Sequence, residues 1–416
     1  MSRKTTRLLA TLTIFLGITA AFTPLGNAVT WSNEKQLTTH GDEDIAPSIV
    51  QMNDGRIWVV WPRNVDDWQF DIYYTIYNWS SHAWSEPLPL VARPKHDTSP
   101  CIIQTNDGTI WLFWASFKAG GYELFSMKSF DNGETWSNTT RLTDSVGDNL
   151  SPSVIQDTNG TIWLVWSSDR AGDWDLFSMK SFDNGETWSN TTQLTTNIYN
   201  DESPSIAQMR DGMIWLVWQY QTEDDFQIYY KTYNRSWSNA TGLTTSAQDN
   251  WSPWIMQARD GTIWVFWSRS FHRGGHPEDP WQDELMCKTS VDDGITWSGV
   301  IQLTAEPDWD ETSPSAAQIN NKTIWLMWES NKDDNFDIYY SISDEIILHD
   351  VAITDVTPSS TMAFQGGTIS INVTAENQGD ENETFTVDCY ANTTMIGSEA
   401  VTLSSENSTV IVFSWN

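Results

Sequence analysis

Six times along this chain an acidic residue stands three or four positions ahead of a proline: Asp44, Asp97, Asp148, Asp201, Asp249 and Asp310 precede Pro47, Pro100, Pro152, Pro204, Pro253 and Pro314. Carboxylates at equivalent places of a repeat could ring one opening, and a ring of oxygen ligands suits Ca²⁺ or another hard cation. The simpler reading is that each Asp caps its own Ser-Pro loop through side-chain to backbone hydrogen bonds, since one residue per repeat is the mark of a structural device. A second group breaks the repeat. Residues 269–281 bring Arg269, His272, Arg273, His276 and Trp281 together in a chain otherwise short of cations. Long loops with a composition of their own bind more often than they brace. Arg269, His272, Arg273 and Trp281, joined by Arg63 and Arg93, are therefore the candidate set for an anionic or sugar ligand. His272 and His276 lack a third nearby ligand, which argues against a metal there.

The elements that must position these residues form a unit recurring six times, about every 52 residues, the length of a propeller blade. Its anchor is a strand with paired tryptophans: Trp58/Trp61, Trp111/Trp114, Trp163/Trp166, Trp215/Trp218, Trp264/Trp267 and Trp325/Trp328. Ahead of it sits a turn dipeptide such as Asp54-Gly55, Asp107-Gly108, Asn159-Gly160, Asp211-Gly212 or Asp260-Gly261, the residues a type I′ hairpin demands. Each unit reads as a four-stranded antiparallel meander, rich in β-branched and aromatic residues. The expected fold is all-β: a six-bladed β-propeller over residues 31–343, with blades near 47–91, 100–143, 152–195, 204–244, 253–304 and 314–343. The last blade has only three strands of its own, and the orphan strand at 31–38 completes it, which removes a free sheet edge. The periodic tryptophans are read as packing between blades rather than as a sugar platform.

The chain has 416 residues, room for one large β domain and a smaller one. Arg3, Lys4 and Arg7, an apolar run over 8–22 and Gly26-Asn27-Ala28 have the order of a secretory signal peptide, placed at 1–28; the alternative is an uncleaved anchor. The net charge of −33, with 22 Lys and Arg, disfavours nucleic acid or an anionic membrane as partner. Cys101, Cys287 and Cys389 lie far apart, which supports buried thiols rather than disulfides or zinc. Asn-x-Ser/Thr sequons at Asn78, Asn138, Asn190, Asn239 and Asn382 fit an exported glycoprotein.

Three units carry Ser-x-Asp-x-Gly-x-Thr-Trp: Ser129, Asp131, Gly133, Thr135, Trp136; Ser181, Asp183, Gly185, Thr187, Trp188; and Ser290, Asp292, Gly294, Thr296, Trp297. This resembles the Asp-box (BNR repeat) of sialidase-type propellers, where the box stabilises the fold on the face away from the active site. The run 168–177 and Leu194-Thr195 ahead of Ser203-Pro204-Ser205 are similar to TolB-type propeller repeats. Residues 349–416, with Asn377-Gln378-Gly379, resemble the start of a CARDB-type, immunoglobulin-like adhesion module of exported archaeal and bacterial proteins. Sialidases resemble one another in an Arg-Ile-Pro motif at the first inner strand. The corresponding residues here are Ile45-Ala46-Pro47, without the arginine. The expected function is that of an exported, secreted or surface-attached, non-catalytic recognition or scaffold protein binding glycan or protein through one propeller face. The alternative is a sialidase-like exo-glycosidase, which the missing arginines disfavour.

Overall fold

The computed structural model describes residues 14–19, 29–66, 69–118, 120–223, 225–272, 281–305, 308–333, 335–348, 350–360, 367–391 and 394–415. It divides into two units: residues 30–345, and residues 346–416 together with 1–29. Among the described residues there is no helix, so none long and apolar enough to cross a membrane.

Residues 30–345 form six antiparallel sheets in sequence, each built as the repeat requires. Blade two is representative: Asp97–Gln104, Ile110–Lys118, Gly121–Ser129 and Thr140–Arg141, paired in that order. The second strand of each blade is buried on both faces because a neighbouring sheet covers each side. Trp61, Trp114, Trp166, Trp218, Trp267 and Trp328 are accordingly among the largest fully buried side chains. Blade six takes its fourth strand from the chain start: Lys35–Gln36 pairs with Asp337–Ile342, and Trp31 bridges Ser343.

The turns differ from the type I′ expectation. Gly55, Gly108, Gly160, Gly212 and Gly261 lie at φ of 84–91° while the residue before each does not, so these are type I turns closed by a left-handed glycine. Only blade six, with Asn320 and Asn321 both at positive φ, follows the type I′ pattern.

A residue the repeat carries without exception ties these turns together. Gln51, Gln104, Gln156, Gln208, Gln257 and Gln318 each stand four positions after the blade proline. Each Oε1 accepts a backbone N–H from the turn of the preceding blade. The donors are Asn53 to Gln104, Asn106 to Gln156, Thr158 to Gln208, Arg210 to Gln257, Arg259 to Gln318, and Asn320 back to Gln51, all at 2.7–2.8 Å. In blades one to five the Nε2 also donates to the carbonyl of the blade's own turn glycine. The bond from Asn320 to Gln51 joins blade six to blade one. Higher on the inner strands, Ser48, Ser153, Ser205 and Ser315 accept the N–H of Ile102, Ile206, Ile255 and Ile49 from the next blade. Cys101 and Trp254 hold the same position in blades two and five. All three cysteines are buried free thiols.

Each Asp-box is a closed local network. Asp131 accepts from Thr135 Oγ1 and N–H and from Ser129 Oγ, which hold its carboxyl down at about 2; Asp183 repeats this arrangement. The box glycines do more than supply positive φ. A Cβ on Gly133, Gly185 or Gly294 would sit 2.4, 2.3 or 2.2 Å from the Trp58, Trp111 or Trp215 ring of the preceding blade. The glycine is thus the slot into which the neighbouring indole packs.

The C-terminal unit has one sheet of Val351–Pro358, Ile369–Asn377 and Ser408–Trp415. Glu383–Ala391 and Thr394–Leu403 form a second, sharing one apolar core that includes Ile371, Val387, Cys389 and Phe413. Ile14–Thr19, within the run expected to be a leader, is a strand at the edge of this second sheet, with Ile14 opposite Ala391. Residues 1–13 and 20–28 lie outside the described residues.

Gly133→Ala is expected to destabilise the propeller by at least about 2 kcal/mol, because backbone strain and the clash with Trp58 add. Gly55→Ala, with open space around its Cβ, should lose only about 1 kcal/mol. Thermal unfolding of the two variants side by side checks the ordering.

Candidate functional site

Each inner strand reaches the mouth of the ring through a residue held at positive φ immediately before its proline: Ala46, Ser99, Ser151, Ser203, Ser252 and Ser313, at 44–55°. The ladder to the second strand shifts register there in blades two to six. Such a conformation costs about 1–3 kcal/mol per residue and persists only where the surroundings enforce it. Enforcement comes from the preceding blade. Ser203 N–H donates to Ser167 Oγ (3.0 Å), Ser252 N–H to Gln219 Oε1 (3.0 Å), Ser313 N–H to Ser268 Oγ (3.2 Å), and Ala46 N–H to the Glu329 carboxylate. The six residue-proline pairs and Trp254 line a shallow opening of about 130 Å³. Below it lies a cavity of about 400 Å³, walled by Ile49, Ile102, Val154, Ile206 and Ile255.

The six aspartates do not form one ring. The position that repeats is three before the proline: Asp44, Asp97, Asn149, Asp201, Asn250 and Glu311. All six are fully buried, pointing into the blades rather than at the mouth. Five of them accept the indole N–H of the second tryptophan of their blade: Trp61 to Asp44 (2.6 Å), Trp114 to Asp97 (3.0 Å), Trp166 to Asn149 (2.9 Å), Trp218 to Asp201 (2.5 Å) and Trp267 to Asn250 (2.7 Å). Asp148, Asp249 and Asp310 fall one residue earlier and accept the backbone N–H of Tyr122, Phe226 and Asp283, within the first three residues of the third strands of the preceding blades. Among the described residues no group of three or more His, Cys, Asp or Glu is arranged to hold a metal ion. These are not caps on each residue's own Ser-Pro loop: Asp148, Asp249 and Asp310 hold the third strand of the blade before, and Asp44, Asp97 and Asp201 clamp indoles.

The arginines are committed to the same positions. Arg63 grips Asp44 with two N–H groups at 2.7 Å and lies over Tyr73; Arg93 reaches Asp97 at 3.0 Å and lies over Trp114. Arg170 and Arg269 bond the amide oxygens of Asn149 and Asn250 and lie over Trp166 and Trp267. Burial lowers the pKa of both, offset only in part at Arg170 by the Glu123 charge. The expected ligand set is thereby divided: Arg63, Arg93 and Arg269 brace three separate blades. His272 and Trp281 are not loop residues but face each other as the last pair of a lengthened hairpin, Ile263–His272 with Trp281–Ser290. Arg273 and His276 lie outside the described residues.

The mouth has a face that breaks the repeat. The residues two before the prolines are Ile45, Thr98, Leu150 and Thr312 in blades one, two, three and six, but Glu202 and Trp251 in blades four and five. Burial, with Asp201 next to it, pushes the Glu202 carboxyl up. Trp251 Nε1 donates to Ser270 Oγ (3.3 Å), and Ser270 Oγ donates to Asp283 Oδ1 (2.5 Å). Burial raises Asp283, and the Asp310 and Asp249 charges add to that. Glu329, beside Thr312, is raised by burial although Thr312 Oγ1 (2.6 Å), Ser313 Oγ (3.1 Å) and Ala46 N–H all donate to it. This arc holds an indole and three carboxyls whose pKa burial raises. The sequence signal for it is the position two before each proline, where Glu202 and Trp251 stand apart from the Ile, Thr or Leu of the other blades.

No protein-family model matches the chain. A sialidase of Paraclostridium sordellii is 28% identical over 159 residues, 32% of this chain and 37% of that protein. A sialidase of Clostridium perfringens is 29% identical over 160 residues, 32% of this chain and 41% of that protein. The match thus spans about two fifths of these relatives. Among solved structures, a Dyadobacter fermentans protein of unknown function superposes with a TM-score of 0.64 at 15% identity, over 77% of this chain and 100% of that one. The NanB sialidase of Streptococcus pneumoniae gives 0.55 at 12% identity, over 77% and 70%. An α-L-arabinofuranosidase of Fusarium graminearum gives 0.56 at 12%, over 73% and 93%. The fold is that of the sialidase-type β-propellers.

Removing the guanidinium from the buried pair, in Arg63→Leu, should cost about 3–5 kcal/mol by leaving Asp44 charged and unpaired; Arg63→Leu with Asp44→Asn should recover much of it in a denaturant melt. A second expectation concerns Glu311, whose carboxyl burial and the Glu34 charge raise to about 8. A carboxyl raised in the folded state lowers stability as pH climbs from the ordinary range near 4.5 to about 8. Glu311→Gln should therefore raise the melting temperature at pH 9 by several degrees and leave it nearly unchanged at pH 4.

Proposed function

We propose that this chain is an exported glycan-recognition propeller whose mouth, along the arc of blades four to six, binds a neutral saccharide. The observation that carries this is the commitment of Arg63, Arg93, Arg170 and Arg269 to internal acceptors. A sialic acid carboxylate needs a free bidentate clamp, and these four cannot supply one without releasing their blades. What the arc offers is Trp251 for stacking, with Glu202, Ser270 and Asp283 for hydroxyl groups. Proteins of this fold include, by their names, both a sialidase and an α-L-arabinofuranosidase, so the scaffold is compatible with acidic and neutral sugars alike. The apolar leader-like run, the sequons and the CARDB-like C-terminal unit support export, with that unit as a spacer or attachment.

A glycoside hydrolase is the second reading, favoured by the raised Glu202 and Asp283 carboxyls. An upward shift is the direction that suits a general acid. The two readings separate on one set of measurements. Glycan-array binding should favour neutral over sialylated ligands, and Trp251→Ala should weaken it at least tenfold. Turnover of neutral aryl-glycosides that Glu202→Gln abolishes while binding persists would establish the hydrolase. Efficient release of sialic acid would overturn the recognition of neutral sugars.

A further inference from the structure

The fourth strand of each blade is entered through a serine whose Oγ accepts a backbone N–H of the third strand. In blades two to four these are Ser137, Ser189 and Ser238: they take the N–H of Lys128, Lys180 and Thr232 at 3.0 Å and donate to the carbonyl of the next residue. That next residue is Asn138, Asn190 and Asn239 in turn, and two positions on stand Thr140, Thr192 and Thr241. All six are exposed. Asn-x-Thr with both ends in solvent is the acceptor for an N-linked glycan. Three adjacent blades thus present it at one repeat position, on their outermost strand. Blades five, six and one have Gly299, Asn33 with Lys35 two residues on, and Glu86 there instead. Other exposed sequons, Asn78 with Asn234 and Asn159 with Asn321, lie in opposite blades rather than side by side.

The same tripeptide type occurs twice inside the blades, as Asn149-Leu150-Ser151 and Asn250-Trp251-Ser252. Both asparagines are 0% exposed. Nδ2, the atom that would carry the sugar, donates from Asn149 to Tyr122 O (3.1 Å) and from Asn250 to Ser246 Oγ (2.7 Å), while Oδ1 holds the Trp166 and Trp267 indoles. A saccharide on either nitrogen would take the space of the blade's own packing, and the clamp could not close. The fold therefore separates acceptors from non-acceptors that the tripeptide leaves alike.

We propose that Asn138, Asn190 and Asn239 carry N-linked oligosaccharides, added once the blades have formed, so that the outer edge of blades two to four is sheathed in sugar and that of blades five, six and one is bare at this position. The donor is an oligosaccharide linked to a polyprenyl diphosphate. Nδ2 bonds to C1 of its first sugar, the C1–O bond to the diphosphate breaks, the diphosphate leaves with the electron pair, and the amide proton passes to a base of the transferase. Transfer has to follow blade formation because the same reaction on an unfolded chain would reach Asn149 and Asn250 and block blades three and five. The proposal rests on the chain being exported, where such donors are met, and is independent of what the mouth binds.

Two samples test it. The full chain is expressed in a host whose oligosaccharyltransferase reads Asn-x-Ser/Thr, and the exported fraction is mapped by glycopeptide mass spectrometry. Asn138, Asn190 and Asn239 should each bear a glycan and Asn149 and Asn250 none. Thr140→Ala, an exposed change, should remove the glycan from Asn138 and leave the other two. Exported protein that is bare at the three asparagines overturns the proposal while the export reading stands; a glycan on Asn149 or Asn250 overturns the order of folding and transfer. If no chain is exported, the export reading fails and the second sample decides. Purified full chain is incubated with the transferase and its lipid-linked donor, once folded and once after proteolysis to peptides. The folded chain should be modified at the three rim asparagines and spared at the two buried ones, and the peptides should be modified at all five. A folded chain left bare at the rim, or peptides of Asn149 and Asn250 that resist transfer, overturns it.

Discussion

A carboxamide has a donor and an acceptor on adjacent atoms, and the ring depends on using both at once. In each of blades one to five the glutamine after the inner strand gives its Nε2 hydrogen to its own turn and takes a backbone N–H from the turn of the blade before. Glutamate could not donate and lysine could not accept. Each bond is worth only about 1 kcal/mol net, but the set is cyclic. Asn320 closes on Gln51, so opening the ring at any joint breaks a tie as well as exposing tryptophan faces. Gln318, whose Nε2 stays unpaired, marks the joint where the turn glycine is replaced.

With one face held this way, the opposite face can carry strain. Four of the six positive-φ residues before proline, Ala46, Ser203, Ser252 and Ser313, give their N–H to acceptors of the preceding blade, which hold that side of the mouth in place. The same interlocking explains why the arginines are poor ligand candidates. A guanidinium over an indole, bonded to the acid or amide that also holds that indole, is part of the blade's packing. Chemistry is left to positions where the repeat lapses, Glu202 and Trp251 at the mouth.

The periodic proline and tryptophan pairs, the Asp-boxes and the orphan strand at the chain start made the six blades legible, because each encodes a local interaction of short range. The regular spacing of the glutamines is equally visible, but the partner that gives it meaning lies about 50 residues away along the chain. Asp44, Asp97 and Asp201 were misplaced together with Asp148, Asp249 and Asp310 for a related reason. A shift of one position along a strand turns a side chain from the blade interior to the strand end, and spacing from proline does not display that difference. His272 and Trp281 looked like loop residues because hydrogen-bonded hairpin extension leaves no compositional trace.

The sequence by itself determined the all-β class, the number of blades, their phase and the local Asp-box turns, since these follow from patterns repeated within about 50 residues. Only the tertiary structure decided which carboxylates clamp indoles, that the arginines are spent inside the blades, and that the buried Trp328 indole N–H lacks an acceptor. Those outcomes depend on which neighbouring blade supplies the partner and on one methylene between Asp and Glu. Distances of that size are set by packing across sheets, and no pattern along a single strand carries them.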